Sequence, residues 1–181
     1  TTDNESFIID GKYLKSINQF YNKQKAYYQS LLPKDRKYSK RLAKLDGRRN
    51  RQVEDYLNKS VITIISKIKE LNVDEVIIGW NKSIKTGGIK NAKLKGKKKK
   101  KVNQTFVSIP LSKFKDKLIF KCKQHGIKVT TISESYTSKA SLYDNDKIEK
   151  GRYSGKRIKR GLYKRYNSNA LINADVNAAL N

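Results

Sequence analysis

Glu134 and Asp175 are the two acids of this 181-residue chain whose surroundings suit catalysis. Glu134 closes the run "IKVTTISES", which reads as a strand over Ile127–Ser133. The carboxyl end of a strand is where open α/β sheets present side chains to ligands. Asp175 lies in "LINADVNAAL", between Asn173 and Asn177, in the first turn of a short Ala-rich helix able to press closely on a sheet. Meeting over one sheet margin, the two carboxylates would supply hard oxygen ligands. Phosphodiester hydrolysis needs such ligands around ions ~3.5–4 Å apart. Each acid also has a plainer reading. Asp175 is an anion favoured by a helix N-terminus, worth ~0.3–1 kcal/mol, and Glu134 a surface acid at a strand end.

Charge narrows the partners. Forty-two Lys and Arg against sixteen Asp and Glu give a net charge of +26, which favours polyanions through counterion release. Nucleic acid is the expected partner. Two segments concentrate the charge: "NKSIKTGGIKNAKLKGKKKKK", with ten lysines from Lys82 to Lys101, and Lys147 to Arg165, with nine basic residues against Glu149 alone. The first is too polar to offset its ordering entropy by burial and is expected to be a mobile loop over 82–104. The candidate phosphate contacts are Lys97, Lys98, Lys99, Lys100 and Lys101 there, and Lys139, Arg152, Lys156, Arg157, Lys159, Arg160, Lys164 and Arg165 further on. Tyr143, Tyr153, Tyr163 and Tyr166 are interleaved with the second set. They read either as rings that stack on bases or as edge residues covering the domain.

Other classes recede. No run approaches the ~20 apolar residues of a membrane span, no leader opens the chain, and no strongly apolar amphipathic helix accompanies the cations. A soluble, intracellular, cytoplasmic protein without a membrane partner is expected. Cys122 and His125 are the only residues of their types, so neither a disulfide framework nor a Cys/His zinc site is available.

The elements that must position the acids follow an α/β rhythm. "ESFIIDGKYL" predicts a strand over Ser6–Asp10, with Asp10 in the turn that follows. Leu14, Ile17, Tyr21, Tyr28 and Leu31 mark a helix that Pro33 interrupts. After a basic linker, Val53, Leu57, Val61, Ile64, Ile65, Ile68 and Leu71 mark a long second helix whose basic first half, with Arg48, Arg49 and Arg51, is expected to stay wet. The run Val76–Ile78 suits a central strand buried on both faces. A further helix starting near Ser108-Ile109-Pro110 carries Leu111, Phe114, Leu118 and Cys122 on one face and stops at Gly126. From Tyr136 to Asn169 the pattern loses periodicity.

"ESYTSKAS" (Glu134–Ser141), "GKRIKRGLY" (Gly155–Tyr163) and "LINADVNAALN", with "FIIDGKYLKSINQFYNK" (Phe7–Lys23) and "VIIGWN" (Val76–Asn81), resemble in order and spacing the OrfB/TnpB proteins of insertion sequences, relatives of the type V CRISPR effector nucleases. The resemblance spans nearly the whole chain. It implies an α/β fold of RNase H-like (RuvC-like) type, a mixed sheet with flanking helices, as a single domain over 1–181. Residues 13–72 would be a helical insertion and 136–169 a basic one. It implies a transposon-encoded, RNA-guided, Mg2+-dependent DNA endonuclease, with DNA and a guide-type RNA as partners. Asp175 matches the aspartate of the last nuclease motif. Many relatives end the strand matched by "EVIIGW" with a Glu where this chain has Gly79, and the branch carrying "ESYTSK" places its acid on the next strand, at Glu134. Many relatives also carry a four-cysteine zinc ribbon where "SKASLYDND" has no cysteine, so no zinc is expected. The strand bearing the family's first catalytic Asp precedes the segment matched by "TTDNESFIIDG". Asp3 and Asp10 lie downstream of that place, and the sequence has no Met. An N-terminally shortened form, inactive as it stands, is therefore expected. Its alternatives are a non-catalytic basic DNA- or RNA-binding module with vestigial acids, and a ribosome-associated RNA-binding protein.

Overall fold

A computed structural model describes residues 6–80, 109–159 and 161–181. The Lys-rich segment with Lys97 to Lys101, and Arg160, lie outside the described residues. The chain groups into two compact units, a helical unit of residues 10–76 and 83–129, and a sheet unit of residues 1–9, 77–82 and 130–181. Among the described residues no helix is long and apolar enough to cross a membrane.

In the helical unit, α1 (Lys12–Ser30) buries Leu14 and Ile17 against Val53 and Leu57 of α2 (Lys40–Glu70), with Tyr56, Ile109 and Phe114 closing the cluster. Helix α2 includes the expected basic first half with Arg48, Arg49 and Arg51, and it starts further back, at Lys40, within the stretch read as a linker. Ser39 starts it, its hydroxyl accepting the Leu42 N–H at 3.3 Å. Leu42 is fully buried and stands eleven residues, three turns, before Val53, so it shares that face. A single apolar side chain per three turns anchors this stretch, and its charges hide it from a periodicity reading. Helix α2 stops at Asn72 in the left-handed region (φ 48°), with the Val73 N–H donating to the Ile68 carbonyl, a six-to-one closure that uses an orphan carbonyl. Helix α3 (Leu111–Gln124) stops the same way at Gly126 (φ 71°), where the Ile127 N–H donates to the Cys122 carbonyl. Lys113 and Lys117 of α3 both pair with Glu54 of α2.

Strands β1 (Glu75–Gly79) and β2 (Lys128–Ile132) pair with each other. The Lys128 N–H donates to the Asp74 carbonyl at 3.0 Å and the Trp80 N–H to the Ile132 carbonyl at 2.9 Å, so the strands run in the same direction. Two sequence expectations are corrected here. Strand β1 is not buried on both faces, since Ile77 is 62% exposed and β2 is its one partner among the described residues. Residues 6–10 form no strand, and Phe7 and Ile8 stay exposed. An apolar run states that a segment is to be covered, whereas strand pairing depends on a neighbour the run does not specify. Asp10 does serve the turn, its carboxylate accepting the Lys12 N–H at 2.9 Å.

In the sheet unit, the segment read as non-periodic contains β3 (Lys156–Lys159) and β4 (Leu162–Lys164), and β5 (Leu171–Asn173) follows and leads directly into α4 (Ala174–Leu180). The three strands are antiparallel in the order β3-β4-β5, with Arg157, Tyr163 and Ile172 in one cross-strand row. Tyr163 is fully buried and its hydroxyl donates to the Lys139 carbonyl at 2.9 Å. Gly155 is required beside it, because a Cβ there would lie 2.6 Å from the Tyr163 hydroxyl and 2.7 Å from the Lys164 carbonyl.

Two carboxylates tie the segment between β2 and β5 together. Asp144 accepts the Ser141 hydroxyl at 2.6 Å and the N–H groups of Tyr166 and Asn167 at 3.2 and 3.3 Å. Asp146 accepts the Ser141 N–H at 2.9 Å and both the N–H and hydroxyl of Ser154. The Ser141 hydroxyl, followed by the two amides, holds the Asp144 carboxyl below its ordinary range. A depressed carboxyl stabilises the fold above its unfolded value and loses that contribution as pH falls through the folded one. Asp144→Ala is expected to cost ~1–3 kcal/mol at pH 7. The deficit relative to the parent shrinks below about pH 4, as urea titrations across that range would measure.

Candidate metal and nucleic-acid site

Glu134 follows β2 directly, and its side chain lies over Gly79 at the end of β1. A Cβ at residue 79 would stand 3.3 Å from Glu134 Cγ and 3.7 Å from its carboxyl carbon. The space above Gly79 is thus taken by the acid of the adjacent strand. Among the described residues, no hydrogen bond or ion pair reaches the Glu134 carboxylate. The group is accessible, yet the protein around it removes enough water to push its carboxyl above the usual range. A desolvated carboxylate without a partner is costly in itself and is improved by a cation.

The turn after Glu134 is held by its own peptide groups. Thr137 donates its hydroxyl to the Glu134 carbonyl at 3.1 Å. Tyr136, at φ 68°, accepts the N–H groups of Lys139 and Ala140 at 2.9 and 3.1 Å. A ring-bearing residue in the left-handed region is unfavourable alone, and these bonds compensate it.

Asp175 stands in the first turn of α4 but is not its cap. The Asn173 side chain accepts the N–H groups of Asp175 and Val176 at 2.8 and 3.2 Å, which is the N-cap role. The Asp175 carboxylate, with its side chain 77% exposed, is left 3.7 Å from the Arg157 guanidinium on β3. Beside it runs a groove of about 350 Å³ between Ser6–Ile9 and the face of α4 formed by Asp175, Val176, Ala179 and Leu180.

The residues that fasten the two acid-bearing segments were not singled out from the sequence. Asn177 donates its side-chain amide to the Ala140 carbonyl at 2.8 Å, and Asn181 donates to the carbonyls of Thr137 and Ala140 at 2.9 and 2.8 Å. Thus α4 is latched to the turn that begins at Glu134. A signal was present: Asn173, Asn177 and Asn181 recur every four residues, the spacing of one helix face. Among the described residues no three Asp, Glu, His or Cys side chains gather closely enough to hold a metal ion.

The expected phosphate contacts differ in availability. Lys139, Arg152, Lys156, Arg157 and Lys159 are exposed, and Lys164 is half-buried. Lys156 stands directly across from Lys164, a like-charge pair that an anion would relieve. Arg165 is half-buried, lies 4.5 Å over the Tyr143 ring and donates to the Tyr143 carbonyl at 3.3 Å. Tyr143 and Tyr166 are exposed, whereas Tyr163 is a core residue and offers no stacking face. Cys122 is buried and its thiol is pushed up by that burial.

Comparison with known proteins matches residues 1–85 to the family OrfB_IS605, described as probable transposase, and residues 112–181 to the Cas12f1-like TNB domain. The two matches together support a TnpB-family protein. No curated protein matches it. Among solved structures, this chain is similar to one in the cryo-EM structure of the Cas12f1-sgRNA-target DNA complex, at 20% identity and a TM-score of 0.58. That likeness speaks for the fold, a mixed α/β arrangement of helices and small sheets. It covers 98% of this chain and 44% of the other, so the chain spans under half the length of the protein it matches.

Two outcomes follow from the geometry. Asn177→Ala, which removes one of the two hydrogen bonds on the Ala140 carbonyl, is expected to cost ~0.5–1.5 kcal/mol in denaturant unfolding. For Glu134, a raised folded value means that stability is full below the unfolded value of ~4.3 and is lost as pH rises through the folded one. Glu134→Gln should therefore melt above the parent at pH 7 and converge with it toward pH 3, as circular dichroism at both values would read.

Proposed function

We propose that the sheet unit carries the metal-holding part of a RuvC-like DNA nuclease centre, with Glu134 and Asp175 as its ligands. The observation that carries this reading is the Glu134 carboxylate seated over Gly79, desolvated and without a protein partner among the described residues. The donor set fits Mg2+, since both groups are carboxylates and neither is committed: Asp175 has only an exposed, 3.7 Å approach from Arg157. Magnesium, when bound, supplies an activated water and steadies the leaving oxygen of a phosphodiester. The chain's own residues do the remainder. The Asn177 and Asn181 latch fixes the spacing of the two acid-bearing segments, and Arg157 is placed to meet a phosphate brought to Asp175.

The RNase H-like reading is supported by the same-direction pairing of β1 and β2, and by an acid at the end of β2. DNA and a guide-type RNA are proposed as partners from the family matches and from the complex in which the similar Cas12f1 chain was solved. Asp10 is committed to the Lys12 amide and is not counted as a third ligand. With two acids, ion retention and cleavage by this chain are expected to be weak. Titration calorimetry with Mn2+ tests the site. Glu134→Gln and Asp175→Asn should each weaken binding at least about tenfold. Unaltered binding in the double variant would overturn the assignment.

A second reading, a basic binding module whose acids are vestigial, is favoured by the exposed cations of β3. Both readings predict that Lys156 and Lys164 bind phosphate. Changing both to Ala should reduce the slope of log K against log[salt] by roughly 0.9 for each duplex phosphate that is no longer neutralised. A slope that does not move would remove β3 from the interface.

A further inference from the structure

We propose that the helical unit carries a separate groove, between α1 and α2, that binds single-stranded nucleic acid by stacking bases on Tyr13 and Phe20. The groove has an aromatic wall of Tyr13 and Phe20, a floor of Ile17 and Leu45, and an opposite wall that includes Arg48 and Gln52. Tyr13 and Phe20 are 56% and 59% exposed. They stand seven residues apart, two helical turns or ~10.5 Å along the axis, and Tyr27, 58% exposed, continues the line by two more turns. This row is distinct from the buried stripe of Leu14 and Ile17 that holds α1 to α2. Tyr13 leans on the Tyr56 ring, with centroids 5.7 Å apart, and the three rings of the row still keep more than half of their surface exposed.

Charge selects the occupant. From Lys12 to Arg51 the sequence has thirteen Lys and Arg and two acids, Asp35 and Asp46. Asp46 is already taken by the hydroxyls of Tyr21 and Tyr38, at 2.6 and 2.9 Å, and by Lys25 at 3.7 Å. Arg49 is used internally, donating to Asn18 at 2.8 Å and lying 5.7 Å from the Tyr21 ring. Arg48 is exposed on the groove wall. Rings in line with cations across from them suit a strand whose bases are free to turn inward while its phosphates face arginine. A duplex keeps its bases stacked on one another and cannot use the rings. The groove uses residues of the helical unit alone, and does not depend on Glu134 or Asp175.

The test is fluorescence anisotropy with the full chain and labelled oligothymidylate and oligouridylate of about 20 nucleotides, beside a duplex of equal length, in salt high enough to weaken phosphate clamping elsewhere. Phe20→Leu retains apolar bulk without a π face, and Phe20→Trp restores the face. Phe20→Leu and Tyr13→Leu are each expected to weaken single-strand binding about 5- to 100-fold with the salt slope unchanged. Phe20→Trp should bind like the parent, and duplex affinity should not change. Comparable losses with the two oligomers assign the groove to single strands in general, and a loss with one alone assigns it to DNA or to RNA. Single-strand affinity equal in parent and Phe20→Leu would overturn the proposal, as would an equal loss on duplex. So would reduced self-association of Phe20→Leu in sedimentation with affinity unchanged, which would give the face to a second copy of the chain. Mn2+ binding is read in the other unit, so either proposal can fail without the other.

Discussion

Hydrogen bonds from the amides of Asn177 and Asn181 to the carbonyls of Thr137 and Ala140 fix where α4 lies against the turn after Glu134. The candidate site inherits its spacing from them. These bonds join uncharged groups, which has two physical consequences: they do not titrate in the working range of pH, and they do not compete with the carboxylates for a cation. A salt bridge in the same place would do both. The arrangement has a cost, because the buried Oδ1 of Asn177 has no hydrogen-bond partner among the described residues, and an orphaned buried acceptor is worth about 1–3 kcal/mol of desolvation. The latch must offset that cost. Its use of three donated bonds on two carbonyls, rather than apolar packing alone, fits a helix too short to bury much area.

The same economy governs the insertion between β2 and β5. A strongly cationic segment cannot collapse on an apolar centre, and this one has few apolar side chains to try with. Apart from Tyr163, its fully buried residues among those described are small: Ala140 and Ser141. Order comes from acids used as multidentate acceptors. Asp144 and Asp146 between them collect donors from Ser141, Ser154, Tyr166 and Asn167. Charge-assisted bonds of this kind are stronger than neutral ones. Two of the chain's sixteen acids thus supply the cross-links of this segment.

How much of this could be read in the sequence depends on which forces act locally. Strand β2 and helix α3 were legible because their apolar periods and boundary signals, Pro110 at the helix start and Gly126 at its stop, are written in consecutive residues. Glu134 was legible as a strand-end acid, and Asp175 as a helix first-turn acid. The cap was not Asp175 but Asn173, since both types serve at that position and only geometry chooses between them. The start of α2, residues 40–47, was missed because Leu42 and Leu45 are too few apolar positions among charges to show a period. Strands β3 and β4 were missed because they are four and three residues long and are ordered by hydrogen bonds to distant loops. The strand expected over Ser6–Asp10 failed for the converse reason: the local signal is present, and the paired neighbour is not among the described residues.

Strand alternation adds a last constraint on the site. In the row Arg157, Tyr163, Ile172 the three side chains share a face, because directly opposed residues point the same way. Arg157 is therefore committed to the side on which Tyr163 is buried and on which Asp175 follows β5. Lys156, one residue earlier, must point to the other side with Lys164 and Leu171. One short strand thereby divides its cations between two tasks. Lys156 and Lys164 repel one another and gain by attracting phosphate, whereas Arg157 neutralises an acid. The Arg157–Asp175 approach, long and exposed, is worth at most ~1 kcal/mol. That is too little to hold the carboxylate against a divalent ion, and enough to keep it from adding an uncompensated charge while no ion is bound. A weak pair is the form of neutralisation that a ligand residue can give up.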